Sequence, residues 1–209
     1  MSEARVISIN VARATSVRIR ERTVQTAIDK QPVNGLVEVL PMGLAGDEQA
    51  DLSVHGGASK AVYAYPHEHY AFWETVRKQS LRPEGRVVQP GLIPYPELAP
   101  LAFGAMGENL SIKGLDEKSV WIGDRLRIGS AEFVVTEPRI PCFKFNAKMG
   151  FNHASKLMVQ SGYCGFYLAV MRTGQITAGD TIELVSGDRD RAITIAQSFA
   201  LRTAKSRDS

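Results

Sequence analysis

Short β-rich runs separated by turn residues dominate the hydrophobic pattern of this chain. Arg5–Val11 (RVISINV), Leu36–Leu40, Ala61–Tyr65, Ser119–Ile122, Arg125–Ile128 and Glu132–Thr136 read as strands. The stretch from Trp121 to Thr136 carries the clearest signal: Gly123-Asp124 and Gly129-Ser130 punctuate alternating or β-branched runs, which predicts a meander. The Gly-Asp entry recurs at Gly179-Asp180, again followed by an alternating strand through Leu184. Two such hairpin entries suit the two halves of a barrel, although they are too short to establish a duplication.

Helical patterns are fewer. Pro66–Gln79 opens on proline, a favoured first-turn residue, and places Tyr70, Phe72, Trp73 and Val76 on a rough apolar face. Asn152 is positioned to cap a helix over His153–Gln160, which Ser161-Gly162 ends. Arg189–Thr203 has one apolar face, with Ile193, Ala196, Phe199 and Ala200, and reads as an amphipathic C-terminal helix. The expectation is a domain over residues 1–187 and a helix with its tail over 188–209. The helix should pack on the outside, so that a chain cut after Gly187 keeps a folded core. Pro83–Pro100 is rich in proline and glycine and reads as a long irregular loop, either functional or a cover over the sheet.

Composition narrows the class without naming a function. The 209 residues suffice for one domain with a core of its own, and 44% apolar with 22% charged residues is ordinary globular usage. Two cysteines far apart in sequence offer no disulfide framework and fit a reducing compartment. The N-terminal residues do not read as a signal peptide and no run is long enough for a membrane span, so the cytoplasm is the expected location. A net charge of +3, without basic stripes interleaved with aromatics, argues against nucleic acid and suits a small anionic ligand.

Three segments hold the candidate chemistry. Cys142 lies in Thr136–Phe145 (TEPRIPCFKF), with Arg139 three residues before it and Lys144 two after. Positive neighbours favour the thiolate, the form that binds soft metals or attacks, and Pro141 stiffens the segment. A buried small hydrophobe is the competing reading of the same thiol. His55-Gly56-Gly57, followed by Lys60, suits either an anion cradle of backbone N–H groups or a plain flexible turn. Glu108 and Asn109 follow Gly107 and either read the edge of a heterocycle or form a polar turn before a strand. His67 and His69 are two apart on a predicted helix and cannot share a metal. Cys164 sits among aromatics and reads as a packed core thiol.

Taken together, Gly46-Asp47, His55-Gly56-Gly57 with Lys60, Gly107-Glu108-Asn109-Leu110, Pro138-Arg139-Ile140-Pro141-Cys142-Phe143-Lys144 and Ala178-Gly179-Asp180 resemble the MOSC domain, across roughly residues 5–186. The resemblance is strongest to stand-alone bacterial members, including those that confer resistance to 6-N-hydroxylaminopurine. It implies a mainly β fold, a barrel-like arrangement with peripheral helices. It also implies a molybdopterin-type molybdenum cofactor, with Cys142 as catalytic residue and metal ligand. His55, Gly56, Gly57, Lys60, Arg139 and Lys144 would then hold the pterin and its phosphate, and Glu108 and Asn109 would line the site.

The activity so implied is an oxidoreductase that reduces hydroxylaminopurines, hydroxylamines or amidoximes. Its electrons would come from a separate reductase, since no flavin, haem or iron–sulfur motif occurs here. The alternative is a non-catalytic carrier, in which Cys142 holds persulfide sulfur or the protein passes the cofactor on. Close bacterial relatives often carry a C-terminal three-helix extension, of which about one helix remains. The pyridoxal-phosphate-dependent desulfurase domain of the eukaryotic sulfurases is lacking, so pyridoxal phosphate is not expected.

Overall fold

Leu126, Ile128, Ala131, Phe133 and Val135 are buried while Arg125 and Arg127, alternating with Leu126 and Ile128, are exposed, the signature of a sheet with one dry face. A computed structural model describes residues 3–19, 21–50, 56–80, 99–190 and 192–205. In chain order its strands are β1 (Arg5–Val11), β2 (Thr15–Ile19), β3 (Arg22–Thr26), β4 (Gln31–Val33), β5 (Val37–Leu40), β6 (Gly43–Leu44) and β7 (Val62–Pro66). They continue as β8 (Leu110–Lys113), β9 (Arg125–Ile128), β10 (Ala131–Pro138), β11 (Phe166–Arg172), β12 (Gly174–Ile176) and β13 (Ile182–Val185). The helices are α1 (Tyr70–Ser80), α2 (Phe143–Met149), α3 (Ala154–Ser161) and α4 (Ile195–Lys205).

The architecture is mainly β with peripheral helices. The main sheet runs in the order β13-β9-β10-β11-β7-β8-β1-β4, with β12-β5-β6 and the β2-β3 hairpin beside it. Its pairs are antiparallel except β7 with β8. The ladder is not closed, but the sheet curls until its ends meet. Arg5 bridges Thr181, and Val6 N donates to Asp180 O at 2.9 Å, Gly179 N to Val6 O at 2.8 Å and Ile182 N to Ala4 O at 2.8 Å. The result is barrel-like.

The two Gly-Asp entries build the same turn. Asp124 accepts from Trp121 N at 2.9 Å and Asp180 from Thr177 N at 2.8 Å, each carboxylate reaching three residues back. Gly123 and Gly179 take φ values of 93° and 98°, open to glycine at no steric cost. The strands they launch, β9 and β13, then pair with each other, Leu126 opposite Leu184.

Several expected elements shift. Ser119–Ile122 is not a strand: the Asp116 carboxylate accepts from Lys118 N and Ser119 N and folds the chain into a turn, leaving only a Trp121–Thr194 bridge. Pro66 ends β7, and a short 3₁₀ turn at His67–His69 precedes α1. His153, not Asn152, occupies the N-cap of α3. The long Pro83–Pro100 loop lies largely outside the described residues, and none of the described helices is long and apolar enough to cross a membrane.

Helix α4 starts at Ile195, where Thr194 and Gln197 form a reciprocal cap: Gln197 N donates to Thr194 Oγ1 at 3.1 Å and Thr194 N to Gln197 Oε1 at 2.9 Å. It lies outside the sheet but is not a loose appendage. Ile195 and Phe199 belong to the same buried core as β9 and β10, and the first turn is tied down by Ile195 N to Val120 O and Ala196 N to Glu117 O. The expectation that the core stands without this helix therefore meets a buried inner face. Phe199→Ala should lower unfolding free energy by about 3–5 kcal/mol, the usual cost of emptying a buried phenylalanine site. Truncation after Gly187 should broaden or abolish the cooperative transition; both are read by denaturant titration followed by circular dichroism.

Candidate active site

Strand β10 delivers the thiol segment. Its register against β11 shifts between Val135 and Glu137, a bulge that bends the strand end. Beyond Pro138, Arg139 is buried, Ile140 is exposed, and Cys142 sits in extended geometry at the N-cap of α2. The Cys142 carbonyl accepts from Phe145 N at 3.0 Å and from Ser155 Oγ of α3 at 2.8 Å, so two helices hold its backbone. The residue is partly exposed, whereas Cys164 is fully buried, its thiol aimed at Gly165 O.

Cys142 lines a half-open cleft of about 90 Å³. Its walls include Lys60, Asn109, Arg139 and Lys144, together with Lys30, Asp47, Gln49, Tyr63 and Tyr167. Five of the residues singled out from the sequence thus line one cleft although they come from three segments far apart in the chain. His55 lies outside the described residues. Gly56 and Gly57 are not among the lining residues, and Gly57 N already donates to Gln49 Oε1 at 2.7 Å, so that N–H is committed.

Arg139 is the fixed charge of the site. Nη1 donates to Met106 O at 2.5 Å, and the guanidinium lies over the rings of Tyr63 and Phe145, 4.9 and 5.1 Å from their centroids. Burial works against its charge, but Tyr63, Tyr167 and Cys142 nearby outweigh it and hold the pKa above the ordinary arginine value. Lys60 lies 5.9 Å from the Tyr167 centroid, and Lys144 Nζ donates to Gln25 O at 3.0 Å.

Glu108 and Asn109 are engaged by the protein's own groups. Glu108 is wholly buried and accepts from Gly104 N, Met106 N, Ser111 Oγ and Tyr70 Oη, which uses its carboxylate completely. Asn109 lines the cleft, but its Oδ1 accepts from Tyr63 N while Nδ2 donates to Asn10 O and to Asp47 Oδ2. Gly104, in the turn before them, has no room for a side chain: a Cβ would lie 2.4 Å from Lys30 O. Sequence reading missed Lys30 and Tyr63 because neither has a patterned neighbour. His69 bonds Glu117 at 2.8 Å and stacks on Tyr163, away from the cleft.

The MOSC domain profile matches residues 51–183. The chain belongs to the MOSC domain family. It is 34% identical over 201 residues to the uncharacterised protein YflK of Bacillus subtilis, covering 96% of this chain and 82% of that one. Escherichia coli YiiM is 36% identical over 177 residues, 84% of this chain and 70% of its own. A Gibberella moniliformis protein named a reductase is 36% identical over 163 residues, 78% of this chain but only 26% of that protein. The crystal structure of YiiM from Geobacillus stearothermophilus superposes with a TM-score of 0.71 at 32% identity, covering 99% of this chain and 86% of that one.

In this MOSC protein no group of three His, Cys, Asp or Glu side chains gathers among the described residues. Cys142 therefore offers a metal one soft protein ligand, which fits a metal already chelated by an organic cofactor better than a bare ion. The basic cleft around it fits an anionic group on such a cofactor.

Burial pushes the thiol of Cys164 and the hydroxyls of Tyr63, Tyr65 and Tyr167 above their ordinary values of 9.0 and 10.0. Acids raised in this way keep protons in the folded form that the unfolded chain releases, so their contribution is full below the unfolded values and falls as pH rises past them. Lys30, lowered by burial, runs the other way but is outnumbered. The urea midpoint should stay level from pH 7 to about 9 and then fall steadily.

Proposed function

We propose that this MOSC protein binds a molybdopterin-type molybdenum cofactor, with Cys142 as the protein ligand to the metal, and reduces N-hydroxylated compounds. The observation that carries the reading is a partly exposed thiol facing a basic cleft that contains no second soft ligand among the described residues. Lys60 and Lys144, which line the cleft, would meet the cofactor's phosphate, and the pinned Arg139 would supply a fixed charge near the thiol. When bound, the cofactor supplies the two-electron and oxygen-transfer chemistry. The chain itself orients the group, shapes the cleft and holds the local charge.

The substrates are hydroxylaminopurines, hydroxylamines or amidoximes, and the electrons come from a separate reductase. The fungal relative supports that division: it is named a reductase, and most of its length lies outside the match to this chain.

Cys142→Ser should fold normally, lose molybdenum after cofactor reconstitution, and lose turnover of an N-hydroxylated purine with a supplied electron donor. Cys164→Ser should keep activity and cost about 1–3 kcal/mol, because it trades a buried thiol for a hydroxyl. Metal analysis, turnover and circular dichroism separate these outcomes. Full turnover by a folded Cys142→Ser protein would remove the metal-ligand role. A loaded wild type that accepts sulfur but never turns over would point to a carrier instead.

A further inference from the structure

Lys30 is a buried cation in the wall of the cleft that the cofactor-binding residues do not account for. Its side chain is 8% exposed, and Nζ donates to Asp47 Oδ1 at 2.5 Å. Asp47 is itself fixed, with Ala12 N on Oδ1 and Asn109 Nδ2 on Oδ2, both at 2.8 Å. That carboxylate has backbone and amide donors without Lys30. A buried ion pair is also weak evidence of a stability role, since desolvation offsets most of its attraction. The pair nevertheless lines the same cleft as Cys142.

We propose that Lys30 is the proton donor to the oxygen that leaves an N-hydroxylated substrate, with Asp47 as its positioning residue. The assignment rests on the reductase reading above. Reduction of R–NH–OH to R–NH₂ and water breaks the N–O bond and consumes two electrons and two protons. The electrons come from a reduced flavin, haem or iron–sulfur protein. One proton goes to the departing oxygen from the Lys30 ammonium, which regains it from solvent through the open cleft. The second goes to nitrogen from solvent.

Three other groups of the cleft are poorer donors. Arg139 is held more firmly protonated than usual, and burial makes Tyr63 and Tyr167 weaker acids. Lys30 moves the other way: burial lowers its pKa below 10.5 although Asp47 and Glu108 oppose the shift, with Arg139 adding to it. A cation that gives up its proton more readily suits general acid catalysis.

The test compares the wild-type protein with Lys30→Arg, which keeps the charge and can pair with Asp47 but does not release a proton. After cofactor reconstitution the variant should match wild type in circular dichroism, molybdenum content and KM, lose about 10²-fold or more in kcat, and lack the alkaline limb of the kcat–pH profile. A second measurement needs no cofactor: in lysine-labelled wild-type protein the Lys30 ε-carbon signal, assigned with the variant, should titrate below the exposed lysines. Active wild type with equally active Lys30→Arg overturns this assignment alone, as does a Lys30 signal that titrates with the surface lysines. A wild type that loads molybdenum yet reduces no N-hydroxylated compound overturns the reductase reading, and this assignment with it.

Discussion

At the entry to β8, Asn109 extends the sheet ladder in two directions at once. Its backbone N–H donates to Tyr63 O of β7 at 2.8 Å and its carbonyl accepts from Asn10 N of β1 at 2.7 Å. The side chain repeats both contacts, accepting from Tyr63 N and donating to Asn10 O, and its Nδ2 also reaches Asp47. One amide thus joins the parallel pair β7–β8, the antiparallel pair β1–β8 and the loop that carries Asp47. A buried amide satisfied on every atom is worth more to the fold than one left reaching into a cleft, because an unpaired polar group costs desolvation without return. Tyr63, Asp47 and Lys30 all take their places at the cleft from this junction.

Legibility followed contrast between neighbouring positions. β9 and β10 were readable because one face is dry and the other wet, so the alternation is printed in the residues themselves. The β2–β3 hairpin was not readable, since Thr15–Ile19 and Arg22–Thr26 are exposed on most positions and carry no period. Helix α2 escaped notice because the Pro141-Cys142 step masks a short seven-residue helix whose buried positions, Phe145 and Met149, make a single i,i+4 pair.

The same logic divides the site. Cys142, Arg139 and Lys144 are neighbours in sequence, so their shared electrostatics could be read from the order of residues. Lys30, Asp47 and Tyr63 reach the cleft only through strand pairing and the curl of the sheet, which no local pattern records. Glu108 and Asn109 show the limit from the other side. A polar pair after a glycine turn looks alike whether it faces a ligand or the protein's own backbone, and only the donors that surround the Glu108 carboxylate decide.

The two cysteines lie on either side of a single backbone contact, Arg139 N to Gly165 O, yet the fold gives them opposite chemistry. Cys164 follows α3 into β11 at the point where a glycine must come next. Gly165 takes a φ of 65°, and any Cβ there would lie 2.5 Å from Ala64 O, so β7 presses directly on the segment and drives the thiol inward. Burial then makes the neutral thiol the stable form. Cys142 lies four residues past the end of β10, and its carbonyl is held by Phe145 N and Ser155 Oγ. Its position is fixed by the main chain, and the residue lines the cleft. The fold thus sets one thiol in the core and the other, partly exposed on a fixed main chain, at the wall of the cleft.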